Sequence, residues 1–268
     1  MTIGISAVLH INVNCTELDR SVEFYRRVAG LTPISHTAPE APQPGGAFAL
    51  DSAQWDAWIM AGPLRFGRTV VDLLEWKVPP PSGLPARRGE RLGFETLRLF
   101  VPDVGAAMAA ASALGAVTVG TDTCEDPDGT LLELVGGAAG AAGPAGPVGV
   151  TVRCAEPARS SRFYTEVIGL APDADGLLRD ATTGFSFELL PAVGVAPAPA
   201  AATGLGMWRL AFATDDIHRD VDELARHGTR SLSPPVTMSM GPGLPELSFV
   251  CFPDPDGTML ELIERPSA

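Results

Sequence analysis

Short runs of alternating apolar and polar residues recur along the chain, each followed by a stretch with helical period. LHINVN (9–14) alternates as a half-buried strand does. From Glu17 to Ala29 the apolar residues return every three or four positions, and Gly30 follows at the place where a helix stops. Further strand-like runs are AFALD (47–51), DAWIMA (56–61) and TVVDLLEW (69–76). The cycle restarts with TLRLFV (96–101), a helix over 103–115, and strands ending in TLLELV (130–135). It then runs twice more. GVTVRC (149–154), a helix around Phe163-Tyr164 and FSFELL (185–190) make one round; RLAFAT (209–214), a helix over 215–228 and TMLELI (258–263) make the other. The pattern is βαβββ four times, an α+β fold. One such module exposes a concave sheet, so modules must pair, giving two open β-barrel cups.

Two segments depart from the rhythm. Residues 116–126 are too short for a full hairpin, so the second module lacks part of one. Its counterpart, 231–250, is about twice as long and is available as a lid.

The repetition is also literal. CTELDRSVEFYRRVAGL (15–31) answers to CAEPARSSRFYTEVIGL (154–170), and DPDGTLLELV (126–135) to DPDGTMLELI (254–263). Two matches in the same order mark a duplication. Between the halves, small residues without periodicity read as a linker. The expected division is an N-terminal domain over 1–136, a linker over 137–148 and a C-terminal domain over 149–268. The linker favours pairing of the first module with the second and of the third with the fourth. The exchanged alternative would pair the first module with the fourth and the second with the third.

Composition narrows the partners. A net charge of −13 argues against nucleic acid, which needs clustered Lys and Arg. No apolar run reaches the roughly 18–20 residues of a membrane span, and no basic amphipathic stretch suggests a membrane surface. The N-terminus carries no charged-then-apolar leader pattern. Four cysteines in no CxxC pair argue against a thiolate zinc site or a disulfide scaffold. A cytoplasmic protein, monomer or homodimer, with a small-molecule substrate is the expectation.

The Phe-Tyr…Gly-Leu signature after the first strand, the strand followed by Asp-Val or Asp-Ile at a helix start, and DPDG-T-x-LEL together resemble the vicinal-oxygen-chelate superfamily. That superfamily includes glyoxalase I, extradiol dioxygenases and bleomycin-binding resistance proteins. The resemblance covers nearly the whole chain and is specific for fold, not reaction. It implies metal ligands on the first and last strands of each module, facing into the cup. The matching positions in the first half are His10, Asp72, Thr96 and Glu133; in the second they are Gly149, Glu188, Arg209 and Glu261.

His10, Asp72 and Glu133 therefore stand as metal ligands, for one Mn²⁺, Fe²⁺, Zn²⁺ or Mg²⁺ per chain. His10 and Glu133 are also the expected catalytic residues. Thr96 replaces the family's usual second His or Gln. In the second half Arg209 brings a permanent cation beside Glu188 and Glu261, as scaffold or as a clamp on an anionic ligand. Trp58, Thr96 and Arg209 are the expected substrate-binding residues, with Trp58 offering a stacking wall. Tyr25 and Tyr164 read as packing, and DPDG as a turn.

The function expected is an enzyme on an oxygenated, aromatic or polyketide-like metabolite: a metal-assisted isomerase, lyase or cyclase rather than a dioxygenase. The Ala-, Pro- and Gly-heavy composition resembles proteins of high-GC actinobacteria, which associates the chain with specialised metabolism and antibiotic biosynthesis. Two rivals stand beside this. One is a metal-free protein that sequesters an antibiotic; the other is a metal-free enzyme in which Glu133 or Glu188 moves a proton.

Overall fold

The computed structural model describes residues 2–63, 68–85, 89, 91–136, 145–192 and 201–264. In chain order the strands are β1 (Ile5–Asn14), β2 (Thr32–Thr37), β3 (Gln43–Pro44), β4 (Ser52–Ala61), β5 (Val70–Val78), β6 (Gly93–Val101), β7 (Thr123–Glu125) and β8 (Leu131–Gly136). The second half holds β9 (Gly146–Cys154), β10 (Ala171–Pro172), β11 (Leu178–Arg179), β12 (Ser186–Pro191), β13 (Gly206–Thr214), β14 (Val236–Met238), β15 (Leu247–Pro253) and β16 (Met259–Glu264). The helices are α1 (Leu18–Ala29), α2 (Val104–Ala113), α3 (Pro157–Arg162) and α4 (Ile217–Arg226), α3 continuing as a wider turn over Phe163–Ile168.

Local chemistry explains the boundaries. Gly30, at φ 65°, ends α1 and turns its N–H onto the Tyr25 carbonyl; Gly169, at φ 93°, does the same with Tyr164. Asp103 and Asp216 cap α2 and α4, each accepting an N–H 2.9 Å away, from Ala106 and Arg219. In each DPDG turn the first Asp gathers two backbone N–H groups. Asp126 takes those of Asp128 and Thr130, and Asp254 those of Asp256 and Thr258. The repeated tyrosines reach the same carboxylates: Tyr25 Oη donates to Asp126 at 3.1 Å and Tyr164 Oη to Asp254 at 3.0 Å.

The modules pair by exchange. One nine-stranded sheet runs β14-β15-β16-β13-β1-β5-β4-β2, with β3 beside β4, and so joins the first module to the fourth. The other runs β10-β11-β12-β9-β6-β8-β7 and joins the second to the third. The seams are antiparallel, β1 on β13 and β6 on β9. This corrects the expected pairing within halves. The halves are repeats of sequence, while each cup is built from both. Of the expected linker, 137–144 lies outside the described residues, and β9 already begins at Gly146.

Other local expectations shift too. Residues 46–48 form a single tight 3₁₀ turn where a strand was expected, with Ala49 in the left-handed region at φ 55°. The second module's hairpin is indeed abbreviated, to the three residues of β7 and a lone bridge from Thr118 to Cys124.

Two apolar clusters result. The larger lies between helices and sheets and holds Tyr25, Tyr164, Phe187 and Phe212. The smaller lies on the concave side of the larger sheet and is rich in aromatics: Phe48, Trp55, Trp76, Trp208 and Phe249. Burying a side chain of that size contributes about 1.5–3 kcal/mol.

Candidate functional site

The concave face of the first-and-fourth cup encloses a cavity of about 480 Å³. Its floor is charged. Arg209, on β13, points between two carboxylates, with Nε 3.0 Å from Glu261 Oε2 and Nη2 3.2 Å from Asp72 Oδ2. His10 Nε2 lies 3.3 Å from Glu261 Oε2 and 3.9 Å from Asp72 Oδ2, off hydrogen-bond alignment with both. Asn12 donates to Asp72 Oδ2 at 3.3 Å from the neighbouring strand position. Asp72, Arg209 and Glu261 are each no more than 6% exposed.

Strand alternation places these groups. Asp72, Leu74 and Trp76 share one face of β5, and the register sets Asp72 beside Asn12 and Glu261 beside Ala211. The Arg209 guanidinium rests over the rings of Trp208 and Phe48, 5.4 and 5.6 Å from their centroids.

Burial opposes charge on Arg209 and on Glu261, and their mutual pairing overcomes it. Burial pulls the Arg209 pKa down, yet Glu261 and Asp72 raise it above its ordinary value. For Glu261 burial pushes upward, but Arg209 and then His10 hold the carboxyl below the usual range. Among the described residues, neither Arg209 Nη1 nor His10 Nε2 has a hydrogen-bond partner. The walls are apolar, with Leu9, Phe48, Trp55, Ile59 and Phe249 among them. Met240 and Leu244, from the long segment after β14, close one side, and Arg68 stands on the lining as a second cation.

The sequence-predicted residues divide between the cups. His10, Asp72 and Arg209 come together; Thr96 and Glu133 line a separate cavity in the second-and-third cup, with Glu188. Glu133 Oε2 is 3.2 Å from Arg98 Nε and takes no part in the first site. The ligand set His10, Asp72 and Glu133 is therefore not assembled, nor is the catalytic pair His10 and Glu133. The cause is the module exchange. Trp58 also falls outside the cavity. It lies on the opposite face of β4 from Trp55 and Ile59 and stacks on His36, ring centroids 4.5 Å apart. A shift of one position along a strand reverses the face. Trp55 was legible only by counting parity from Asp72 across the register of β4 on β5. Phe249 carried no such signal, because it reaches the cup only through the exchange, while Met240 and Leu244 on the lining belong to the long 231–250 segment expected as a lid.

A resident metal does not fit this floor. Where the family resemblance puts four donors, this cup offers His10, Asp72, Glu261 and a buried guanidinium already paired to both carboxylates. A divalent ion about 4 Å from Arg209 would be repelled by on the order of 8 kcal/mol at an effective dielectric near 20. In the other cup Gly149 supplies no donor, and Glu133 is held by Arg98. Among the described residues no group of three or more His, Cys, Asp and Glu is disposed to hold a metal. The expected metal at His10, Asp72 and Glu133 is withdrawn on that donor set.

The model of the Glyoxalase/Bleomycin resistance protein/Dioxygenase superfamily matches residues 7–134 and 147–262. The chain belongs to this superfamily. Among solved structures, glyoxalase I from Zea mays aligns at 19% identity and a TM-score of 0.68, covering 96% of this chain and 92% of that one. A putative dioxygenase from Bacillus subtilis aligns at 16% identity and a TM-score of 0.66, covering 100% and 87%. At such identities the likeness concerns fold. No curated protein matches the chain in sequence. Among the described residues no helix is long and apolar enough to cross a membrane.

Proposed function

We propose that this superfamily member is a metal-independent small-molecule enzyme whose site is the first-and-fourth cup. Its ligand is an oxygenated, planar metabolite held between apolar walls with its oxygen toward the floor. The observation that carries this is Arg209, buried at the base of a cavity of about 480 Å³ in the place of a metal, with Nη1 unpartnered among the described residues.

The chemistry follows from the floor. A carbonyl or enolate oxygen reaching Arg209 would meet a permanent cation in a dry site, where such stabilisation is strongest. His10 and the ionised Glu261 are the groups placed to move a proton. That combination suits an isomerase, lyase or cyclase step. Ring cleavage through a facial iron triad wants two imidazoles, and this floor has one. Roles in antibiotic biosynthesis and a cytoplasmic address fit this reading and rest on composition alone. A second reading, capture without turnover, is favoured by one observation: both carboxylates are already committed to Arg209.

The test combines elemental analysis of the purified chain with tryptophan-fluorescence titration of hydroxyaryl ketones. Expected are metal far below one per chain, binding indifferent to chelator, and affinity about tenfold or more weaker in Arg209→Lys, which keeps the charge but not the fork. Solvent deuterium entering a bound ketone supports the enzyme; tight binding without exchange supports capture. One equivalent of metal, lost in His10→Ala, sinks both.

A further inference from the structure

The second-and-third cup encloses a cavity of about 380 Å³ whose chemistry is opposite to that of the first. Its apolar lining is confined to Leu131 and Leu190. Of its four inward positions, Gly149 brings no side chain, and the others are Thr96, Glu133 and Glu188. Glu188 Oε2 accepts from Thr151 at 3.2 Å, and Glu133 lies 3.2 Å from Arg98. Glu95 is neutralised by a two-pronged bond from Arg153, at 2.8 and 2.9 Å. Among the described lining residues, Glu133, Glu188 and Asp122 then face a single cation, Arg98.

Thr96 is an independent mark. It is 6% exposed and sits on the cavity wall, and its hydroxyl has no partner among the described residues. The hydroxyl opens onto the cavity, where a ligand group can meet it.

We infer that this cup is a second ligand site, taking a small hydrophilic cation: a primary amine that also carries hydroxyl groups. The ammonium meets Glu188 and Glu133, since bonds between charged donors and carboxylates are the strong kind. A ligand hydroxyl meets Thr96. The surplus of negative charge excludes anions, and two leucines give too little apolar wall for an aromatic ring. The first cup takes no part in this inference.

Calorimetric titration of the full chain with glucosamine, glucose and Mg²⁺ tests it. Glucosamine should bind, glucose should bind at least about tenfold more weakly, and added salt should weaken the amine alone. Glu188→Gln should cost about tenfold or more and Thr96→Val a few-fold, the range expected for losing a charged and a neutral hydrogen bond. Trp55→Phe, in the other cup, should change nothing here, so the two sites can fail separately. Glucose binding as tightly as glucosamine, no glucosamine binding at millimolar concentration, or affinity indifferent to both substitutions would overturn the assignment. Uptake of Mg²⁺ without glucosamine would replace it with a bare cation site.

Discussion

Arg209 Nη2 lies 3.2 Å from Asp72 Oδ2, a buried contact between residues 137 positions apart in the chain. One partner belongs to the first module and the other to the fourth, so the bond exists only because the modules exchange. Arg209 also holds Glu261, which makes this guanidinium the electrostatic centre of the larger sheet.

Removing it should be expensive. Arg209→Met leaves two buried carboxylates facing each other, and breaking such a pair from one side costs about 3–5 kcal/mol. Chemical denaturation should show that loss, and the double variant Arg209→Met, Glu261→Gln should recover part of it. An Arg209→Met chain as stable as the parent would mean that the floor charges are solvated.

The two tryptophans of β4 should behave differently. Trp55→Phe should weaken ketone binding in the first cup by about 0.5–1.5 kcal/mol, the range of an aromatic contact. Trp58→Phe should leave binding unchanged, because its ring stacks on His36 outside the cavity. The reverse order would restore the face expected from the sequence.

This difference marks what the sequence could carry. The four modules, their helices and their turns were legible because periodicity and capping are local. Cys15–Leu31 and Cys154–Leu170 share Cys, Glu, Arg, Ser, Phe-Tyr, Val and Gly-Leu at one spacing, and the same caps follow at Gly30 and Gly169. Inward positions were legible in part from acids between aliphatic neighbours: Asp72 and Glu261 are buried, whereas Glu133 and Glu188 are only half-buried on the wall of the other cup. Which inward positions meet was not legible. β1 pairs with β13 across 200 residues of sequence, and nothing in either strand distinguishes that partner from β6. The linker between halves argued for the wrong alternative, because loop-closure entropy grows only slowly with length and so barely separates the two pairings.

Acid should reveal the buried turn carboxylates. Burial raises Asp126 to about 6, against the backbone N–H bonds of Thr130 and Asp128 that work to lower it. The folded chain thus holds its proton more tightly than the unfolded one. The contribution is fully present below the ordinary value of 3.8 and is lost as pH rises through about 6. Its size is on the order of 2–3 kcal/mol. Asp126→Asn should flatten the stability profile between pH 4 and 6 in urea titrations at a series of pH values. Glu261 acts in the opposite direction, its stabilisation fading as pH falls, so the Asn variant must be compared with the parent pH by pH.

Gly149 should tolerate nothing larger. A Cβ there would stand 2.2 Å from Ser186 Oγ and 2.7 Å from the Ser186 carbonyl oxygen on the neighbouring strand. Gly149→Ala should therefore cost about 1–3 kcal/mol, the usual range for overpacking, read as a lower denaturation midpoint. An imidazole cannot be placed at this position without moving β12.

The exchange itself can be tested by cutting the chain. Residues 1–136 expressed alone keep the contact of α1 with the DPDG turn, through Tyr25 and Asp126. They lose the partners of β1 and β6, the central strands of both sheets. Residues 145–268 similarly lose the partners of β13 and β9. Each fragment would present two long, apolar, unpaired strand edges, a state that invites association rather than stable monomers. Neither fragment should unfold cooperatively as a monomer. Mixed, they should form a one-to-one complex that regains the parent's near-ultraviolet dichroism, because Trp208 joins Phe48 and the Trp55–Trp76 pair only across the seam. If pairing ran within halves, each fragment would instead fold alone and mixing would change nothing. Sedimentation and urea unfolding of the separate and mixed fragments distinguish the two, and a stable monomeric half would overturn the exchanged architecture and the floor built on it.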